Sequence, residues 1–277
     1  MHNLIKASLF KLFRDRTFIV TAIIGVIIAF FMIGASALSK FLSDGVDFIT
    51  GESSFLTALT PGNSFGLTIP INLVVFTVGE FTYGTVRNKI IAGLSKTKVY
   101  FGLFITGLVF TFILATGYAL ITIGLTSAIT GFNPDNIGGV KFIFFYIANT
   151  VLTYTFVTAV SVFFASLIRN IGGSITVSVI SMVFLSFLPF IIMMIEFSNG
   201  NYSIEHWSCW LNPLYVIGIF GNNVSTLFSS SIGSSLGVGS IFDISNTFIA
   251  AGIVTPTYWA IIFIVLGLFV FKRSDVK

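Results

Sequence analysis

Residues 142–195 read FIFFYIANTVLTYTFVTAVSVFFASLIRNIGGSITVSVISMVFLSFLPFIIMMI and hold one charged side chain, Arg169. The apolar run on each side of Arg169-Asn170 is longer than the ~20 residues an α-helix needs to cross a hydrocarbon core. So short a link predicts an antiparallel helical hairpin. Helix is the default because a spanning segment must satisfy its own backbone hydrogen bonds. Strands of a membrane barrel alternate apolar and polar residues over ~10 positions, whereas these runs are apolar on every face.

The same pattern extends outward. Uncharged runs also cover 17–39, 53–79, 99–134 and 244–271. The chain has 277 residues, of which 55% are hydrophobic and 9% charged. A soluble domain carries about a quarter charged residues, so lipid has to replace water as the solvent for much of this surface. The expected fold is an all-α integral membrane protein, a single transmembrane domain over 1–277. About six spans are expected, near 17–38, 63–82, 99–129, 142–168, 171–195 and 247–271. No internal repeat and no soluble domain are visible. The first run is too long for a signal-peptide core, and Ala35-Ser36-Ala37 is a weak cleavage match, so it reads as a retained span. One cysteine, Cys209, excludes an intrachain disulfide framework.

Charge sets the expected orientation. With the N-terminus in the cytoplasm, 12 of the 14 Lys and Arg residues fall on the cytoplasmic side, leaving Lys40 and Lys141 outside. Seven of the ten acids, Asp44, Asp47, Glu52, Asp135, Glu196, Glu205 and Asp243, fall outside. Cytoplasmic Lys and Arg govern topology, so both termini are expected in the cytoplasm and the inverted arrangement is rejected. The net charge of +4 then reads as a topology signal, with no nucleic acid as partner. Residues 207–242 also lack charge, but a seventh span would carry Lys272, Arg273 and Lys277 outside. Residues 210–228 are therefore read as a short interfacial or re-entrant external helix between the last two spans, and the Gly/Ser stretch 229–240 as a loop.

Residues 3–16 form a basic amphipathic segment, with Leu4, Ile5, Leu9, Leu12 and Phe13 on one side and Lys6, Lys11 and Arg14 mostly on the other. It reads as an interfacial helix in the lipid headgroup layer, or more simply as a basic flank of the first span. The segments 39–62 and 130–141 read as external loops, the second with an Asn133-Pro134-Asp135 turn signal.

Few residues promise chemistry. His2 and His206 lie on opposite sides of the expected membrane, which excludes a paired histidine metal site and a histidine at membrane depth. Asp44, Asp47 and Glu52 suit a divalent cation less well than a plain solvated loop. The sequons at Asn201 and Asn223 matter only in a eukaryotic secretory pathway. Trp207, Trp210 and Trp259 are expected at membrane interfaces. Thr150, Thr153, Thr155, Thr158, Ser161, Ser174, Thr176, Ser178 and Ser181 either line a mildly polar path or pack helices together, packing being favoured. No ionisable group falls at mid-membrane, which argues against a proton- or sodium-coupled carrier.

The most informative connection is 80–98, EFTYGTVRNKIIAGLSKTK. It joins spans two and three on the expected cytoplasmic side and is too short for a domain. A short helix is expected over 86–94, where Arg87 and Lys89 alternate with Val86, Ile90 and Ile91. Such a helix fits a groove on a partner, or is an ordinary positive flank. Glu80 would cap that helix or pair with a base on the partner. The stretch has no phosphate loop: in the frame of Ser95-Lys96-Thr97 the required glycines are Ile90 and Ser95. The chain is accordingly expected not to be an enzyme and to need no cofactor or metal.

This connection resembles the first cytoplasmic loop of bacterial ABC-2 type transporter permeases: an acid (Glu80), Gly84-Thr85, then Arg87-Asn88-Lys89, then Gly93-Leu94-Ser95-Lys96. Lys96 stands where that family often has Arg, keeping charge but losing the planar fork. The basic N-terminal helix, Asn212-Pro213 before a short external helix, and the ending FKRSDVK are similar as well, so the likeness runs the length of the chain. It implies an exporter permease subunit whose loop docks on a separate cytoplasmic ABC ATPase subunit. It also implies a homodimer or a heterodimer with a related permease, and external helices that cap the pathway at Asn212-Pro213. The largely apolar composition suits an amphipathic or lipid-like cargo such as a peptide antibiotic. The alternative is a non-transporting scaffold or sensor component.

The orientation has a direct check. A membrane-impermeant thiol reagent should label Cys209 in intact cells, and a cysteine placed at Ser95 only after permeabilisation. Labelling of position 95 in intact cells would invert the topology.

Overall fold

The computed structural model describes residues 2–42, 50–61, 65–198, 210–221 and 246–273. The expectations for Asp44, Asp47, Glu205, His206, Trp207, Cys209, Asp243, Lys277, the two sequons and the stretch 229–240 lie outside those residues. The described chain is helical with no strand, and six of its helices are long and apolar enough to cross a membrane. The protein has a multi-pass transmembrane architecture.

Helix α1 (His2–Arg14) leads into α2 (Arg16–Leu42), the first long helix. A short helix, α3 (Gly51–Ala58), precedes α4 (Phe65–Thr82). Helix α5 (Thr85–Ile91) and α6 (Lys96–Thr130) follow, then a 3-10 turn at Pro134–Ile137. Helices α7 (Gly139–Ile168) and α8 (Ile171–Ser198) make the expected hairpin. Arg169 closes it in the left-handed region at φ 54°, with its amide bonded to the Ala165 carbonyl. Helices α9 (Tyr215–Gly221) and α10 (Asn246–Arg273) complete the described chain.

The long helices match the expected spans closely. The expected loop 39–62 is corrected in part, because it contains α3. Thr50 and Ser53 form a capping box at the start of that helix. Gly51 is required there: a Cβ would lie 2.2 Å from the Gly131 carbonyl oxygen at the end of α6.

Packing divides along the bundle axis. One end gathers Phe55 and Leu56 of α3 with Phe142, Phe145 and Tyr146 of α7, Tyr215 of α9 and Phe248 of α10. The other end gathers Val86 of α5, Tyr100 and Leu103 of α6, Val162 of α7 and Phe271 of α10. At this second end lie Lys6, Lys11, Arg14, Arg16, Arg87, Lys89, Lys96, Lys98, Arg169, Lys272 and Arg273, so it is called the basic end. The start of α6 and the end of α10 meet there, since Lys96 Nζ donates to the Lys272 carbonyl at 3.0 Å, and α1 joins them through the pairing of Lys11 with Glu80 of α4.

The span hydroxyls bond mostly within their own helices. Thr150, Thr153, Thr155, Thr158 and Thr176 each donate to the carbonyl four residues earlier. Thr158 also bonds Thr111 at 3.0 Å, and Ser161 meets Ser178 at 3.4 Å, tying α7 to α6 and α8.

Glu52 locks the end opposite the basic one. Its Oε1 accepts from the Asn133 amide at 2.8 Å and from Asn136 Nδ2 at 3.0 Å. Burial alone raises this carboxyl, but the hydrogen bonds outweigh it and hold it below its ordinary value of 4.5. A depressed folded-state value means the clamp is in force above the unfolded value and is lost as pH falls through the folded one. Hydrogen-exchange protection of 50–60 and 133–137 should therefore fall together as pH drops below ~4.5, the unfolded range. In Glu52→Gln the two segments should be less protected at neutral pH and respond little to acid. An unchanged acid response in the variant would reject the assignment.

Candidate functional site

Two constructions carry the polar residues singled out above. The first is the connection between α4 and α6. Glu80 lies in the last turn of α4, and its side chain is buried. One carboxylate oxygen pairs with Lys11 of α1, the other with Lys89 of α5 at 2.9 Å. The expected roles of Glu80 are thereby corrected. It does not cap α5, whose N-cap is Gly84 in the left-handed region at φ 67°, and both of its oxygens are engaged within the chain. Lys11, expected on the polar side of α1, faces the bundle for the same reason.

Helix α5 is closed at both ends. Beyond Gly84, Thr85 is its first residue. At its other end Gly93 takes φ 88°, its amide bonding the Ile90 carbonyl, while the Leu94 amide bonds the Lys89 carbonyl. This double bond around a left-handed glycine is a Schellman stop. Ser95 then caps α6 by accepting from the Lys98 amide. Gly84, Gly93 and Ser95 thus have local roles that shape the loop.

Anchoring leaves one face outward. Val86 is fully buried against Val99, Tyr100 and Phe271. Arg87 and Asn88 are exposed, as are Tyr83 at 80% and Ile91 at 72%. An isoleucine and a tyrosine that far out of the fold, flanking Arg87, make an apolar and basic surface at the water-facing end of the bundle. Lys89 does not join it, and Lys96 reaches the end of α10 instead. The Arg169 guanidinium sits 5.5 Å over the Phe81 ring and backs the loop from the α7–α8 turn.

The second construction is the segment 210–221. Trp259, the fourteenth residue of the 28-residue α10, donates its indole N–H to the Leu211 carbonyl at 2.7 Å. Tyr258 donates to the Trp210 carbonyl at 2.5 Å. At 1.5 Å per residue, these donors lie about 20 Å along α10 from its start. The segment 210–214 therefore lies beside the middle of α10, and Trp259 stands at mid-helix. From there α9 rises along α8 to meet Phe248. Its seat is close: a Cβ on Gly218 would lie 2.7 Å from the Ser186 carbonyl oxygen.

Asn212 holds the turn. Its Oδ1 accepts from the Leu214 amide and its Nδ2 donates to the Leu185 carbonyl, both at 2.9 Å. Pro213 is buried beside it. Leu185 is four residues before Pro189, which lies inside α8 and has no N–H to give that carbonyl. The same arrangement recurs in α10. Pro256 leaves the Gly252 carbonyl free, and the buried Asn149 of α7 donates to it. Asn149 and the bond from Trp259 to the segment 210–221 were not anticipated; an asparagine or indole inside an otherwise apolar run was the available signal. Among the described residues no three His, Cys, Asp or Glu side chains gather as a metal site would need.

No protein-family model matches the chain, and no curated protein matches it.

The proline–asparagine pairing is testable by a double-mutant cycle. Asn212→Ala should cost about 1–3 kcal/mol, the penalty for orphaning a buried carbonyl. With Pro189→Ala the helix regains its own donor, so the added cost of Asn212→Ala should shrink. The Leu214 amide bond is lost in both backgrounds and cancels. Additive effects in thermal unfolding would reject the pairing.

Proposed function

We propose that the protein is the transmembrane permease subunit of an ATP-driven ABC exporter, with the basic end in the cytoplasm of a cell membrane. The observation that carries this reading is α5. A seven-residue helix is pinned at its buried face by Val86 and at its flank by the Glu80–Lys89 pair, and it turns Tyr83, Arg87, Asn88 and Ile91 to water. A loop needed only for topology has no use for such anchoring. A docking element does, because a partner's movement reaches the spans only through a connection that does not slacken. The concentration of Lys and Arg at this end supports a cytoplasmic placement.

The division of labour follows. The chain has no phosphate loop, so the energy comes from a cytoplasmic ABC ATPase subunit seated on α5, in an assembly with a second copy or a related permease. Movement of the ATPases shifts α5 and, through Glu80 and Lys96, the ends of α1, α4 and α10. A groove of about 440 Å³ between α3, α6 and α7, lined by Leu59, Phe112, Leu120, Ile123 and Ile147, supports an amphipathic or lipid-like cargo.

Arg87→Glu with Ile91→Glu should reduce the ATPase that co-purifies with the chain by about tenfold or more, the loss expected when a central contact of an interface is reversed. Expression and thermal stability should hold, because both side chains are exposed. The purified chain freed of every companion should show no ATP hydrolysis. A variant that keeps its ATPase and still transports would reduce α5 to a topological flank and favour the scaffold reading.

A further inference from the structure

We propose that the cleft between α1, α2 and α4 at the basic end is a binding site for an anionic phospholipid. It is a cavity of about 600 Å³, within the ~300–1,000 Å³ range of sites for small organic ligands. Its chemistry is graded along the membrane normal. Lys11, Arg14 and Arg16 line the outer part together with Tyr83, and Val75 and Phe76 of α4 line the inner part. Val75 is eight residues before Tyr83, about 12 Å deeper along the helix. Cations at the water boundary above an apolar wall fit an amphiphile with an anionic head. A free phosphate would leave the apolar part empty.

The charges narrow the assignment. Lys11 shares the single negative charge of Glu80 with Lys89, and among the described residues the ion pairs are those of Glu80. Asp15 accepts from the Thr17 amide at 2.8 Å. Arg14 and Arg16 are exposed on either side of it, and Arg14 lies 4.3 Å over the Phe10 ring. Two arginines therefore face the headgroup, a fork geometry suited to phosphate oxygens. Helix α1 is itself docked on the bundle, with Leu12 fully buried and Leu4 against Gly102 of α6. The cleft thus has a fixed wall on the α1 side, unlike a helix loose in the headgroup layer. This assignment stands independently of whether α5 docks an ATPase.

The experiment places the purified full chain, with any companions it retains, in nanodiscs of phosphatidylcholine alone or doped with phosphatidylglycerol. Thermal unfolding and native mass spectrometry of retained lipid are then read. The wild type should be stabilised by phosphatidylglycerol and keep that lipid on release into detergent. Arg14→Gln with Arg16→Gln should weaken the preference by on the order of tenfold, as expected for two cations near an anionic lipid. Arg14→Lys with Arg16→Lys should keep much of it, which separates charge from folding. Arg273→Gln, at the same end but outside the cleft, should change little. The proposal is overturned if the double Gln variant keeps the preference, or if Arg273→Gln loses it equally. It is also overturned if soluble glycerol phosphate stabilises the wild type as well as the lipid does. Stabilisation that follows protein concentration and ignores headgroup charge would assign the cleft to a second copy instead.

Discussion

A backbone carbonyl deprived of its helical donor has to be paired within the protein when no water can reach it. Two such carbonyls organise the second half of this fold. Pro189 and Pro256 sit inside α8 and α10 and free the carbonyls of Leu185 and Gly252. Each is answered by a buried asparagine from another element, Asn212 and Asn149. The first pairing draws a non-helical turn against the middle of α8. The second fixes α10 against α7, the helix along which it packs most extensively. Two of the carbonyls beside this turn, those of Trp210 and Leu211, accept from Tyr258 and Trp259 of α10. One constraint thus connects a non-helical turn, two prolines, two asparagines and two aromatic residues.

The basic end is governed by a different balance. A buried carboxylate is costly unless its oxygens are met by charge or hydrogen bonds. Glu80 meets that condition by drawing in lysines from α1 and α5, elements with no covalent reason to adjoin. The pair to Lys89 has the side chain of Lys89 18% exposed and that of Glu80 3% exposed, so removing Glu80 strands a poorly hydrated ammonium, and removing Lys89 leaves the buried carboxylate to Lys11 alone. That is a stronger tether than a surface ion pair, which contributes little. Helix α1 is consequently part of the bundle and the α5 loop is held in one orientation.

The long helices were legible because their cause is local. A run of twenty apolar residues needs no tertiary knowledge to be read as a span, and Arg169-Asn170 announced the hairpin. The short helix α5 was legible for the same reason, although the expected range 86–94 runs past its observed end at Ile91. What escaped depends on partners distant in the chain. Glu80 could be seen as unusual, but nothing near it named Lys11, 69 residues away. Nothing near Trp259 named the carbonyl that captures it, which belongs to a segment 48 residues earlier. Helix α3 is a different case. Its capping pair Thr50 and Ser53 was in view, yet the acidic composition of 39–62 favoured a loop, and the tertiary contacts of Phe55 and Leu56 were needed to decide it.

Helix α10 is the element that both constructions share. Near its C-terminal end Gly267 allows Tyr100 of α6 to approach so closely that a Cβ would lie 2.0 Å from the phenol oxygen. At its middle it holds the re-entrant turn through Tyr258 and Trp259, and near its start Phe248 meets Tyr215 of α9. A displacement at the α5 loop therefore has a contiguous route to the opposite half of the bundle. Contiguity alone is not coupling, which needs an element with two arrangements. The sequence Gly252 to Pro256 is where α10 lacks an internal hydrogen bond, and helices bend where that ladder is broken. Asn149 bridges the gap from α7. On the exporter reading, bending of α10 at that point has to break or lengthen the Asn149 bond. The side chain that stabilises the resting arrangement is then also the one that sets how much energy the bend requires.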